Sequence, residues 1–225
     1  MLYRNLKSKL FKTIGSLTVA GIVLAGVATT TAFALSSPQA VRADGITPPP
    51  LPPGLAPVPA GNKLFLGTHA VGTQNYVCKP SGAGVAYVLF TPQATLFGED
   101  GGQVITHYNS PNPFEPNTDP KVVAPEGTIR ATWQYLDTSK VWAKVHQPNG
   151  AVTVDTKAIA WLLLDGVGSQ NGPTGGDKLT GTTFVQRLNT TGGLAPSTGC
   201  SSLTDVGNTA FVPYTADYFF YKKAD

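Results

Sequence analysis

Side chains able to do chemistry are scarce in this chain of 225 residues, which holds 3 His and 2 Cys. His69 and His107 fall in separate runs of strand-like composition. If those strands pair, the two imidazoles can face each other as metal ligands, or one can serve as a general base. No third ligand stands at an obvious spacing, so no metal is assigned, and hydrogen-bonded structural histidines are the plainer expectation. His146 shares a polar side with Lys140 and Lys144 and is expected to be solvated. Gln186 and Arg187 adjoin in a third run. An arginine forks onto a carboxylate, so Arg187 either holds an anionic ligand or pins the C-terminal strand, near Asp217, through an internal ion pair. The pin is the simpler reading. His69, His107, Gln186 and Arg187 form the candidate ligand-binding set. No catalytic residue is assigned, since no Gly-x-Ser-x-Gly motif and no persuasive carboxylate pair is present.

The elements that must position these residues begin after an unusual N-terminus. Arg4, Lys7, Lys9 and Lys12 precede the first acidic residue, Asp44, and an apolar stretch from Ile14 to Ala28 follows them. Ala32-Phe33-Ala34 then supplies small residues where a signal peptidase needs them, so residues 1–34 read as a secretory signal peptide, with an alternative cleavage after 43. Left uncleaved, the segment would be the chain's one contact with a membrane. Without residues 1–34, 12 of the 16 Lys and Arg remain against all 13 Asp and Glu, a net charge of −1 with no basic run. Nucleic-acid binding needs clustered cations and is excluded on that ground. Residues 35–60 read as a proline-rich linker, because Thr47 to Pro59 holds seven prolines in thirteen positions. An even number of cysteines in an exported chain points to one disulfide, Cys78 to Cys200. The expected location is secreted or in the cell envelope.

From 61 onwards the pattern is short β-rich runs separated by Gly, Pro, Asn and Asp, with no helical stripe. Thr128 to Leu136 places Ile129, Ala131, Trp133 and Tyr135 on one face. Leu64 to Val71 and Gln74 to Lys79 flank Gly72; Val85 to Thr91 is ended by Pro92. Ala94 to Phe97 and Gln103 to Tyr108 enclose a glycine-rich hairpin turn, and Ala158 to Leu164 is apolar on both faces. Gly166 to Gly176 reads as a loop, and Thr182 to Leu188 and Asp217 to Lys222 close the series. The fold class is all-β: a single-domain antiparallel β-sandwich or partly open barrel of about nine short strands over residues 61–225. Most aromatics belong in its core, and Trp142, which alternation places with lysines, is the exception and a candidate stacking platform.

Several blocks in this domain occur in a fixed order. His69-Ala70-Val71-Gly72-Thr73-Gln74-Asn75-Tyr76-Val77-Cys78 comes first, then Ala94-Thr95-Leu96-Phe97 and Thr106-His107-Tyr108, then Ala158 to Leu164. Phe184 to Pro196, Gly199-Cys200 and Val212 to Tyr221 complete the series. Together they resemble the DUF3455 family of exported proteins over about residues 62–222. The resemblance implies no established activity and no catalytic residue to carry over. Thr138 and Ala160 stand where the family has Gly and Pro. Some members carry a malate dehydrogenase label, yet Gly82-Ala83-Gly84 and Gly166-Val167-Gly168 lack the third glycine and the following helix of a dinucleotide site, so no cofactor is expected. The function expected is that of a binding or structural module whose partner is a small molecule or a cell-surface or wall component. The alternative is a small metal-dependent or hydrolytic enzyme centred on His69 and His107.

Overall fold

A computed structural model describes residues 46–118 and 126–225. The expected leader and both of its cleavage points lie outside the described residues. Nine strands follow one another: β1 (Asn62–Ser81), β2 (Gly84–Phe97), β3 (Gln103–Asn112), β4 (Thr128–Tyr135), β5 (Lys140–Val145), β6 (Ala151–Val152), β7 (Trp161–Gln170), β8 (Thr182–Gly192) and β9 (Thr209–Lys223). They are hydrogen-bonded in the order β5-β4-β3-β2-β1-β9-β8-β7-β6, and β5 also pairs with β7. That seam closes eight antiparallel strands into a barrel and leaves β6 beside β7 as a short extra strand. The barrel form of the expected all-β fold is the one adopted. Among the described residues there is no α-helix, and no helix is long and apolar enough to cross a membrane.

Several strands are longer than the sequence suggests. Leu64 to Val71 and Gln74 to Lys79 fuse into β1 across Gly72, and Val85 to Thr91 continues through Pro92 to Phe97 as β2. Pro92 is tolerated because pairing of β2 to β3 begins only at Ala94, so its missing N–H serves no second ladder. Gly166 and Gly168, expected in a loop, lie inside β7. A Cβ at Gly166 would stand 2.6 Å from the Thr182 carbonyl oxygen, and one at Gly168 would stand 2.6 Å from Asn112 Oδ1. Close approach of neighbouring chain, not turning, is what calls for glycine there.

Alternation along the strands divides the apolar residues between two sides of the wall. Ala70, Leu96, Ile105, Trp133, Val141, Val185, Ala216 and Phe220 fill the lumen. Leu163, Leu188 and Phe219 face outward, yet each is fully buried. Their cover is the proline-rich segment, from which Leu51, Leu55, Ala56 and Val58 pack onto that outer row. The segment is extended, as its prolines require, and the Ala56 N–H donates to the Asn149 carbonyl at 2.8 Å. Residues 46–60 therefore share one compact unit with the barrel. This explains why Ala158 to Leu164 reads as apolar on both faces: Leu162 and Leu164 face the lumen and Leu163 faces the cover. Leu55→Ala is expected to cost about 2 kcal/mol, the low end for a buried leucine because the cover can settle onto the wall. Urea unfolding measures it, and a change under 0.5 kcal/mol would show that the cover contributes little.

Candidate functional site

A cavity of about 260 Å³ occupies one end of the lumen, and each of the eight barrel strands contributes to its lining. Its walls are chiefly apolar, built from Pro92, Ala131, Ala143, Val145, Leu162 and Leu164. Leu89, Ile129 and Lys144 at its rim are exposed, so the cavity opens to solvent. Eight strands leave an interior just wide enough either to be filled by side chains or to hold one small ligand. Here the far end is filled and this end is not.

Polar groups in the wall are few and mostly donors. Arg187 points inward because β8 alternates: Val185 and Arg187 face the lumen, while Phe184, Gln186 and Leu188 face the cover. Its Nε and Nη2 both donate to the Ala160 carbonyl, at 3.2 and 2.9 Å. The expected ion pair to the C-terminal strand is absent among the described residues, where Asp217 instead meets His69 and Asn189. Arg130 at the rim differs, since Glu115 takes its Nε at 2.8 Å and its Nη2 at 3.0 Å. Those bonds from Arg130 hold the Glu115 carboxyl below its ordinary range. The charge of Arg130 is thus neutralised and that of Arg187 is not.

Around Arg187 stand Gln74, His107, Tyr218 and, deeper in the wall, Tyr214. His107 stacks on Trp133, centroids 4.3 Å apart and planes 7° from parallel, with the Tyr218 ring edge-on at 5.3 Å. The His107 Nδ1–H donates to the Thr132 carbonyl at 2.8 Å. Burial drives the His107 pKa down to about 3, against that hydrogen bond and with help from the Arg187 charge. Because a carbonyl only accepts, Nδ1 carries the proton of the neutral ring and Nε2 is left as an acceptor. Burial raises the Tyr214 and Tyr218 hydroxyls, which therefore stay protonated; they lie 3.4 Å apart. Gln74 Nε2 and Trp133 Nε1 are buried donors with no hydrogen-bond partner, and both residues line the cavity.

Of the four candidate residues, the structure brings two together. His107 and Arg187 line one cavity. Gln186 lies on the other side of the wall, where the Tyr221 hydroxyl donates to its Oε1 at 2.7 Å. His69 is half exposed on the outer surface, with Nδ1 2.8 Å from Asp217 Oδ1. Since His69 faces out and His107 in, one metal ion cannot be shared by both, and no cluster of three or more metal-ligating groups forms among the described residues. His146 is not simply solvated, because its Nδ1 meets Asp165 Oδ1 at 2.7 Å and Phe184 packs beside the ring. Trp142 is buried, not a surface platform: Phe114 lies edge-on to it and its Nε1 donates to Ser110 Oγ at 2.9 Å. Gln74, Trp133, Tyr214 and Tyr218 belong to the site and were not singled out by motif. Their signal is spacing: Tyr214, Ala216 and Tyr218 share one face of β9, as Ala70, Gly72 and Gln74 share one face of β1.

The site places the chain among antiparallel barrels that keep a pocket in one mouth. A family model described as "Protein of unknown function (DUF3455)" matches residues 59–222, and the chain belongs to that family. No curated protein and no solved structure matches it. Cys78 in β1 and Cys200 in the β8–β9 connection form the expected disulfide.

Proposed function

We propose that this chain is an extracytoplasmic binding protein that takes one small organic molecule into the mouth of its barrel. The observation that carries the reading is the cavity itself, with apolar walls drawn from every barrel strand and an uncompensated cation beside unpaired donors. Such a mixture of apolar surface and a few convergent polar groups is what small-molecule sites use for affinity and orientation. Export is supported by the leader-like N-terminus and by a disulfide, which lasts in oxidising compartments. Calorimetric titration of the purified protein with 1-naphthamide, 1-naphthylamine and 1-naphthoate tests the binding role. Saturable one-to-one binding of at least one probe is expected, weakened at least tenfold by Val145→Trp, which fills the cavity from its partly exposed end. Circular dichroism shows whether that variant keeps its fold. Flat titrations with all three probes would refute the reading.

A further inference from the structure

The geometry points to an organic monoanion as the ligand: a carboxylate on a compact apolar body, its head group seated on the free edge of Arg187. This rests on the lumen-binding reading above. A guanidinium carries five N–H donors. Two of those of Arg187 go to the Ala160 carbonyl, which leaves both on Nη1 and one on Nη2, with the Tyr218 hydroxyl beside the guanidinium. Nη1 and Nη2 side by side form the fork that takes a carboxylate through two parallel bonds. Ala160 holds the other edge, so the fork is fixed in place before a ligand arrives, and less side-chain freedom is lost on binding.

Charge leads to the same class. A half-buried cation with no anion near it is costly, and among the described residues no carboxylate lies within ion-pair distance of Arg187. Arg130, the other guanidinium in the lining, is already satisfied by Glu115. Lys144, the third cation of the lining, is exposed to solvent at the rim, so among the described residues Arg187 is the one unpaired cation in the buried part of the wall and suits a single negative charge better than the two of a phosphate monoester. Trp133 Nε1 and Gln74 Nε2, the latter near the Tyr214 hydroxyl, add buried donors to the same lining, to which an acceptor on the ligand can bond. His107 Nε2 is an acceptor in that lining, fit for a hydroxyl or N–H on the ligand body. At about 260 Å³ the cavity falls just below the roughly 300–1,000 Å³ of drug-sized sites, which limits that body to about one or two rings or a short chain.

A matched pair of probes tests this. 1-Naphthoate and 1-naphthamide have the same shape and differ in charge. Titrated into the purified protein at constant ionic strength, naphthoate is expected to bind at least tenfold more tightly. Arg187→Met should abolish that preference while leaving naphthamide affinity within about threefold. Gln74→Glu, which sets a carboxylate in the wall with almost no change of shape, should reverse the preference and decides the matter even if Arg187→Met fails to fold. Equal affinity of the two probes for the unaltered protein would overturn the monoanion assignment and leave the binding role standing. Binding of neither would overturn the monoanion assignment, and a flat titration with 1-naphthylamine as well would overturn the binding role.

Discussion

Replacing Cys78 and Cys200 together by Ser is expected to lower stability by about 4 to 5 kcal/mol, the largest effect foreseen for any change outside the cavity. The two cysteines are 122 residues apart in sequence, and closing so long a loop removes correspondingly much freedom from the unfolded chain. For a domain of this size that loss corresponds to a fall in melting temperature of roughly 10–20 °C. The folded geometry should persist, because the connection is held by other bonds. The Cys78 N–H donates to the Asn208 carbonyl at 2.8 Å, the Gly207 N–H to the Cys78 carbonyl at 3.0 Å, and the Tyr87 hydroxyl to the Gly199 carbonyl at 3.1 Å. Thermal and urea melts of the double variant beside the oxidised protein measure the difference, with near-UV circular dichroism reporting on tertiary packing. A loss under 1 kcal/mol would show that the unfolded chain is already held compact by other means.

The strands themselves are legible in the sequence because period-two alternation is local. Ile129, Ala131, Trp133 and Tyr135 were expected on one face of a strand, and all four line or fill the lumen. Closure is not legible. Whether β5 returns to β7 depends on a pairing between runs that no local pattern links, so sandwich and barrel stay equal until the seam is seen. The outer cover escapes for a related reason. A proline-rich stretch shows that its backbone is extended, but not that Leu51, Leu55 and Val58 have an apolar row to rest on. That row is hidden inside runs that read simply as apolar.

Legibility of the site follows the same division. His107 and Arg187 stand out by residue type, yet facing is decided by alternation, and in β8 both faces are buried. Val185 and Leu188 are equally apolar neighbours, so nothing in the run Phe184 to Leu188 says which of Gln186 and Arg187 enters the lumen. The pairing partner settles it. Leu162, opposite Arg187, lines the cavity, whereas Leu163, opposite Gln186, lies under the proline cover. Lys140 and Lys144 share a strand face with Trp142 and mark that face in the sequence as exposed. Phe114, from the stretch after β3, closes over that face instead.

Acid should destabilise the protein well above the range in which its carboxylates titrate, and His107 is the reason. Its pKa is about 3 in the folded protein against an ordinary 6.5, so the unfolded chain binds a proton that the folded one rejects. For a base depressed in this way, stability is full above the unfolded value and falls as pH drops below 6.5, by about 1.4 kcal/mol per unit, until the folded value is reached. Between pH 7.5 and 4.5 the loss is expected to be about 2 to 3 kcal/mol. Glu115, held low by its bonds from Arg130, begins to contribute only toward the bottom of that interval. His107→Gln keeps an N–H that can reach the Thr132 carbonyl and has nothing to titrate, so its stability should be nearly flat from pH 7.5 to 5, whatever its absolute value. Urea midpoints of both proteins at half-unit intervals of pH decide the point. Parallel falls would mean that the ring accepts its proton without leaving the lumen, and that Trp133 and Tyr218 do not enclose it as tightly as their 4.3 and 5.3 Å contacts indicate.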